Sequence, residues 1–255
     1  MKTVRPYTAL AKIYDVVMEH VDYEAWADYV WHLIDENLPD YTEGDGPSIL
    51  ELGAGTALLT EELLDQGVGN VLATDSSAEM LELAQNRLNR FEGRFQVQKL
   101  DFEGDWGGLD GLYDVILLMY DGFNYARTDE GVDRILAGMA DRLKPGGIVI
   151  FDQSTPANSI NNAAFFEDEG ESGAISFVRK SSFDIEVGLH TTEFEIKTPQ
   201  GQFFERHVQR AWTRRQVIAA VDRSRFRIKT AFDGFSLDPA HDDAERIHWV
   251  LELED

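Results

Sequence analysis

Between Ser48 and Asp152, short apolar runs alternate five times with stretches of helical spacing, and no other feature constrains the fold as much. The runs are Ser48 to Leu52, Val71 to Thr74, Phe95 to Lys99, Val115 to Met119 and Ile148 to Phe151. They are too short for helices, and most are too continuously apolar to keep one face wet, as expected of buried strands. The first ends in glycines and opens a helical pattern from Thr56 to Gln66 that stops at Gly67, a C-cap residue. Ser76 and Glu79 read as a capping-box pair before a helix whose inward face is Leu81, Ala84, Leu88 and Phe91. Val132, Ile135, Leu136, Met139 and Leu143 form the stripe of a third helix, after which Pro145-Gly146-Gly147 turns into the fifth strand. Such alternation predicts an α/β fold with a parallel sheet covered on both faces.

The flanks follow other patterns. Tyr7 to Leu38 predicts one or two helices, with Trp26, Tyr29, Val30, Leu33 and Ile34 on one face and a break at Pro39. A Gly/Asp/Pro-rich stretch from Glu43 to Pro47 leads into the first strand. Beyond Asp152 a polar connection, Ser154 to Asn162, gives way to β-type alternation through Ile175, Phe177, Ile185, Val187, Phe194, Ile196, Phe203 and Phe204. This predicts antiparallel hairpins, one of them turning at Pro199-Gln200-Gly201. Thr213 with Gln216 caps a last helix before two terminal strands, Arg227 to Phe232 and Trp249 to Glu252. The 255 residues suit one domain with an elaboration: helices over 1–40, a core over 48–152, an inserted sheet over about 165–212, and a last helix and strands over 213–255.

Composition removes several function classes. No run of about eighteen apolar residues exists to cross a membrane and no apolar leader is present, so a soluble, cytoplasmic protein without a membrane partner is expected. There is no cysteine, which excludes disulfides, thiol nucleophiles and thiolate metal sites, and no other spacing makes a metal site. The 47 acidic against 23 basic residues give a formal charge of -24, a field that repels nucleic acid. An acid load with few lysines also predicts adaptation to a salty cytoplasm, where screening relieves self-repulsion. Nothing in the sequence sets the oligomeric state.

The chemistry concentrates at Ile49-Leu50-Glu51-Leu52-Gly53-Ala54-Gly55-Thr56, where two glycines at a strand-to-helix turn let backbone approach a ligand and present helix N–H groups to it. Asp75 closes the second strand, the position from which an acid accepts hydrogen bonds from both ribose hydroxyls of a nucleoside. A dinucleotide site shares these features. Here, however, Leu58 stands where the third glycine of G-x-G-x-x-G belongs, and Glu51 would repel phosphates. A carboxylate there instead favours the sulfonium and ammonium groups of S-adenosylmethionine. A nicotinamide oxidoreductase is thus disfavoured, while a non-catalytic protein that senses S-adenosylmethionine or S-adenosylhomocysteine stays open beside an enzyme.

ELGAGT (Glu51 to Thr56), TDSSAEML (Thr74 to Leu81), LDFEG (Leu100 to Gly104), YDVILLMYDGFNY (Tyr113 to Tyr125) and LKPGGIVIFD (Leu143 to Asp152) together resemble a class I S-adenosylmethionine-dependent methyltransferase. The resemblance implies a Rossmann-like, doubly wound seven-stranded sheet and a glycine turn, Gly53, Ala54, Gly55 and Thr56, around the methionine moiety. It further implies that Asp75 holds the ribose with Ser76 beside it, Met80 packs on adenine with Met119 near, and Asp101 accepts from the adenine amino group next to Phe102. Tyr7 to Tyr29, with Ile13-Tyr14-Asp15, Asp22-Tyr23 and Trp26, looks like the amino-terminal lid helices of small-molecule methyltransferases. The likeness is to bacterial methyltransferases of unassigned substrate and, more distantly, to aminosugar N,N-dimethyltransferases and glycine N-methyltransferases. In that subgroup an antiparallel sheet inserted after the fifth strand roofs the site, and a small-molecule acceptor is methylated on nitrogen or oxygen.

Methyl transfer to an ammonium or hydroxyl releases a proton, and Asp121, Tyr14 and His207 are the candidate acceptors for it. Asp121 follows the fourth strand on the ligand-binding edge. Glu205, His207 and Gln209 share one face of the strand from Phe203 to Trp212, and Arg206 and Arg210 the other, so one of these faces looks into the cavity.

Overall fold

The computed structural model describes residues 1–38 and 46–254. An amino-terminal strap carries a two-residue strand, β1 (Lys2–Thr3), a left-handed Tyr7 at φ 62°, and a 3-10 turn (Leu10–Ile13). It runs on into α1 (Tyr14–Val17) and α2 (Tyr23–Asn37). Asp22 caps α2 by accepting from the Ala25 amide at 3.0 Å, and the helix buries Trp26, Ala27, Val30, Leu33 and Ile34. The predicted break at Pro39 and the stretch from Glu43 to Asp45 lie outside the described residues.

The core then alternates as β2 (Ser48–Leu52), α3 (Leu58–Asp65), β3 (Asn70–Asp75), α4 (Ala78–Leu88), β4 (Phe95–Lys99), β5 (Tyr113–Leu118), α5 (Asp129–Arg142) and β6 (Leu143–Ser154). β2, β3, β4, β5 and β6 pair in parallel. Chain order reverses between β2 and β5, so their carboxyl ends open a crevice of the kind that binds ligands in doubly wound sheets. β6 is longer than the predicted run because Leu143 pairs with Tyr113 before the register shifts to Val115 with Ile148, leaving the Pro-Gly-Gly residues outside the ladder.

The insertion starts with α6 (Pro156–Asn161) and continues as β7 (Glu167–Ser172), β8 (Ile175–Asp184), β9 (Leu189–Thr198) and β10 (Gly201–Arg210). It forms a second sheet, ordered β1-β10-β9-β8-β7, with the hairpin from β9 to β10 turning at Pro199–Gln200 as predicted. Ile185 and Val187 are an exception to the predicted alternation. They sit at the exposed tip of the hairpin from β8 to β9, where the Asp184 carboxylate accepts the Glu186 and Val187 amides and tightens the turn. Phe177, Phe194 and Ile196 of this sheet pack against Leu10, Ile13, Val17 and Met18 of the strap, a cluster separate from the main core.

The chain closes with α7 (Arg214–Val221), β11 (Phe226–Asp233) and β12 (Arg246–Leu253). The Thr213–Gln216 capping box is present on α7. β12 lies antiparallel between β6 and β11, completing a seven-stranded sheet in the order β11-β12-β6-β5-β2-β3-β4. α5 and α7 cover one face, and α2, α3 and α4 the other. Each fully buried aliphatic or aromatic side chain in these layers contributes roughly 1.5–3 kcal/mol relative to exposure.

Candidate active site

A cavity of about 1050 Å³ lies over the crevice, between the carboxyl edge of the seven-stranded sheet and the strap. A smaller one of about 40 Å³ adjoins the glycine turn, and Tyr14, Gly53, Gly55, Met119 and Tyr120 line both. The large cavity stands at the upper end of the usual range for ligand sites, about 300–1,000 Å³.

Backbone conformation shapes the turn after β2. Gly53 and Gly55 have φ of 64° and 58°, and Ala57 continues left-handed at 63°. A Cβ on Gly53 would project toward the Phe102 ring at 3.5 Å, narrowing the large cavity. The Ala54 amide donates to the Thr74 carbonyl at 2.8 Å. Thr56 is buried, and its hydroxyl donates to Asp15 on α1 at 2.7 Å. Ala57, at the N-cap of α3, offers no side-chain acceptor, so the first amides of that helix lack a capping partner beside the small cavity.

Glu51 lies beneath them, 3 % exposed, with the Thr60 hydroxyl donating to its carboxylate. Burial pushes its carboxyl up to about 7; the Thr60 hydroxyl opposes the shift and the charge of Asp75 adds to it. A buried acid without a cationic partner beside uncapped helix amides matches the ammonium and carboxylate of an α-amino acid group. Tyr14, Tyr23, Trp26 and Tyr120 wall the same small cavity, and such aromatic faces attract cations.

Asp75 sits at the end of β3, accepting from the Gly55 amide at 3.0 Å and the Ser77 amide at 2.8 Å. Burial raises its carboxyl above the usual range against the pull of those amides. The amide of Ser77 is thereby fixed one residue later than predicted. It is the Ser77 hydroxyl, not Ser76, that caps α4 by accepting from the Met80 amide at 3.2 Å, while Ser76 stays exposed on the cavity wall. Met80 is buried, takes the inward place predicted for Leu81, and lines the large cavity with Asp101 and Phe102.

The turn after β5 is strained: Tyr120 and Asp121 both adopt positive φ, 58° and 60°. Asp121 is not among the residues lining either cavity. Its carboxylate pairs with Arg246, which also pairs with the fully buried Asp152, and its amide donates to Asp152 at 3.2 Å. Burial raises the Asp121 carboxyl and Arg246 opposes that rise. Arg246 lies 5.5 Å from the centroids of both Trp26 and Tyr120, so the cluster props the aromatic wall.

His207 faces inward on β10, 4 % exposed, beside the fully buried Glu205. Its Nε2 lies 3.3 Å from Glu205 and its Nδ1 2.9 Å from the Tyr125 hydroxyl, which in turn lies 2.6 Å from the Tyr7 hydroxyl. Tyr7 and Tyr125 line the large cavity. The inward face of β10 is therefore Glu205, His207 and Gln209, with Arg206 exposed. Tyr7, Tyr125 and Tyr120 are site residues to which sequence reasoning gave no role. Only the YDGFNY segment, Tyr120 to Tyr125, could have signalled the last two, and nothing local marks Tyr7. Burial holds the hydroxyls of Tyr7 and Tyr14 well above the usual tyrosine range, and those of Tyr23, Tyr120 and Tyr125 are raised for the same reason.

The fold and the geometry of the site suit a cofactor that combines a nucleoside with a cationic amino-acid end. A methyltransferase-domain family model matches residues 49–147. The chain is 28% identical over 213 residues to YqeM of Bacillus subtilis (strain 168), provisionally named a methyltransferase, spanning 81% of this chain and 80% of that one. Its fold is similar to the crystal structure of an S-adenosylmethionine-dependent methyltransferase from Clostridium acetobutylicum ATCC 824, with TM-score 0.78, 22% identity, and 98% and 99% of the two chains covered. It is also similar to CalS10, an amino pentose methyltransferase from Micromonospora echinaspora, with TM-score 0.68, 17% identity, and 94% and 95% covered. The chain thus carries a methyltransferase domain and is similar in sequence and fold to S-adenosylmethionine-dependent methyltransferases.

Proposed function

We propose that this methyltransferase acts on a small molecule, methylating a nitrogen or an oxygen held in the large cavity. The observation that carries this reading is the cavity itself: about 1050 Å³, floored by the cofactor residues of the sheet edge and walled above by the strap. That wall leaves a small acceptor close to the cofactor and shielded from water, conditions that supply much of the rate of a displacement. When bound, the cofactor supplies a methyl carbon activated by a positive sulfur.

Glu51 holds the ammonium end of the cofactor, and Gly53, Ala54, Gly55 and Thr56 shape the turn around it. Asp75 and Ser76 take the ribose, and Met80, Asp101, Phe102 and Met119 the adenine. Tyr14 lines both cavities, which supports a role for it beside the reacting atoms. Asp121, tied to Arg246 and Asp152, fixes the turn that carries Tyr120 instead of receiving a proton itself. The whole chain works as one domain, residues 1–40 acting as the lid and about 165–212 as the roof. No helix among the described residues is long and apolar enough to cross a membrane. With a formal charge of -24, a cytoplasmic enzyme without nucleic acid substrates follows.

Incubating the protein with radiolabelled cofactor and a panel of amines, hydroxy acids and sugars, and following homocysteine formation, tests the reading. Turnover of one compound class is the expected result. Tight binding of S-adenosylhomocysteine without turnover of any compound would favour a sensor.

A further inference from the structure

The acceptor must lose a proton, and Asp121, the acid after β5, is tied to Arg246 and lines neither cavity. The cavity wall offers a chain of hydrogen bonds instead. Glu205 accepts the amides of Tyr7 at 2.8 Å and Leu10 at 3.0 Å, together with that of Ala9, so both of its oxygens serve as acceptors. The His207 nitrogen facing it at 3.3 Å is then the donor, and in the singly protonated ring this puts the proton on Nε2 and leaves Nδ1 as an acceptor. Nδ1 in turn takes the Tyr125 proton at 2.9 Å, and the Tyr125 oxygen takes the Tyr7 proton at 2.6 Å. Every donor points away from the cavity. The Tyr7 oxygen, its own proton committed to Tyr125, presents lone pairs to whatever occupies the cavity.

We propose that Tyr7, Tyr125, His207 and Glu205 form a one-way proton relay in which the Tyr7 oxygen receives the proton that the acceptor gives up. This rests on the small-acceptor reading above. The acceptor's N–H or O–H bond breaks with its electron pair left on the acceptor, which becomes the nucleophile. Its proton joins the Tyr7 oxygen as the Tyr7 proton passes to Tyr125 and the Tyr125 proton to Nδ1 of His207. Charge ends as an imidazolium beside the Glu205 carboxylate, and each tyrosine finishes neutral, as it began. That last point matters because burial opposes phenolate formation at Tyr7 and Tyr125, so a shift of all protons together avoids what either tyrosine alone could not do.

The groups facing the imidazole are Tyr7 from the strap, Tyr125 from the 3-10 turn after β5, Glu205 on its own strand, and the uncharged Phe194 ring on β9. Asp75 and Asp121 act on the tyrosine side at longer range. Only Tyr7 and Tyr125 reach the cavity, so His207 and Glu205 are positioning residues.

The first test uses the full chain labelled with ¹⁵N-histidine, with S-adenosylhomocysteine bound, and the His207 signals assigned by loss in His207→Gln. The expected spectrum shows the His207 proton on Nε2 with Nδ1 bare, and a changed Nδ1 signal in Tyr125→Phe. A proton on Nδ1 would reverse the chain and overturn the relay. The second test takes an acceptor found in the panel above. Tyr125→Phe should keep S-adenosylhomocysteine affinity but lose about a hundredfold in kcat near neutral pH, within the range for assisted proton transfer, and recover as pH exceeds the acceptor's own ionisation. A loss equal at every pH, or no loss, overturns the relay. A wild-type enzyme inert toward the whole panel while His207 shows the expected tautomer would instead overturn the small-acceptor reading, leaving the direction of the hydrogen-bond chain supported.

Discussion

Replacing Glu51 with Gln should strengthen the free protein and weaken its grip on the cofactor, two effects of opposite sign from one oxygen-to-nitrogen change. The carboxyl is 3 % exposed and burial holds it at about 7 instead of its ordinary 4.5. A carboxyl raised on folding favours the neutral form in the fold, so its contribution is complete below about 4.5 and lost as pH rises through about 7. At about 1.36 kcal/mol per decade of pH, the full loss in the ligand-free protein is roughly 3 kcal/mol at pH 8. Gln does not ionise. Urea unfolding without ligand should therefore find Glu51→Gln more stable than wild type by up to roughly 3 kcal/mol at pH 8, and nearly equal to it at pH 4.5. The cofactor reverses the sign, because its ammonium group favours the ionised carboxylate, an interaction worth roughly 1.5–3 kcal/mol. Calorimetric titration with S-adenosylhomocysteine should show affinity down about tenfold to a hundredfold in the variant, and proton release on binding to wild type at pH 6 that the variant lacks. A Glu51→Gln protein less stable than wild type at pH 8, or one binding S-adenosylhomocysteine unchanged, would refute the view that this acid waits for a cation.

Asp75→Ala should lower S-adenosylhomocysteine affinity by roughly 1.5–3 kcal/mol in the same calorimeter, since it removes a charged acceptor and frees the Gly55 and Ser77 amides that it holds; unchanged affinity would mean the nucleoside lies elsewhere. Glu205→Ala leaves the amides of Tyr7, Ala9 and Leu10 without their acceptor, so hydrogen exchange there should quicken while the seven-stranded sheet stays protected; unchanged exchange would show that the strap is held by packing alone. With a formal charge of -24, the melting temperature should rise on going from dilute buffer to molar KCl, and a salt-independent melt would remove the case for a salty habitat.

Legibility in the sequence tracked how far away each residue's partner lies along the chain. The buried strands β2, β3, β5 and β6 read as apolar runs because both of their faces are covered, a condition local spacing records directly. The glycine turn and Asp75 were equally readable, since strand, turn and helix supply their context within a few residues. Ser76 was misjudged as a cap because its competitor is its neighbour, and a carboxylate two residues before Ser77 decides between them. Ile185 and Val187 carry strand-like spacing into a hairpin tip because a turn fixed by Asp184 outweighs their preference for extended chain.

The residues proposed to face the acceptor follow a different rule. Glu205 meets Tyr7 across 198 positions and His207 meets Tyr125 across 82, and neither separation leaves a periodic trace. The two-residue β1 exists only because β10 is there to pair with it. A strand too short to show alternation and a tyrosine in a left-handed conformation are set by tertiary contact, which overrides local preference. The proposed cofactor half of the site is assembled from the carboxyl ends of neighbouring strands, where sequence proximity and spatial proximity coincide. The proposed acceptor half is assembled from the strap, the turn after β5 and the inserted sheet, which meet only once the sheet beneath them has formed. Two members of one fold can therefore share every cofactor residue and differ in what they methylate, and substitutions in the strap and on the inward face of β10 are the ones expected to change the acceptor while leaving S-adenosylhomocysteine binding intact.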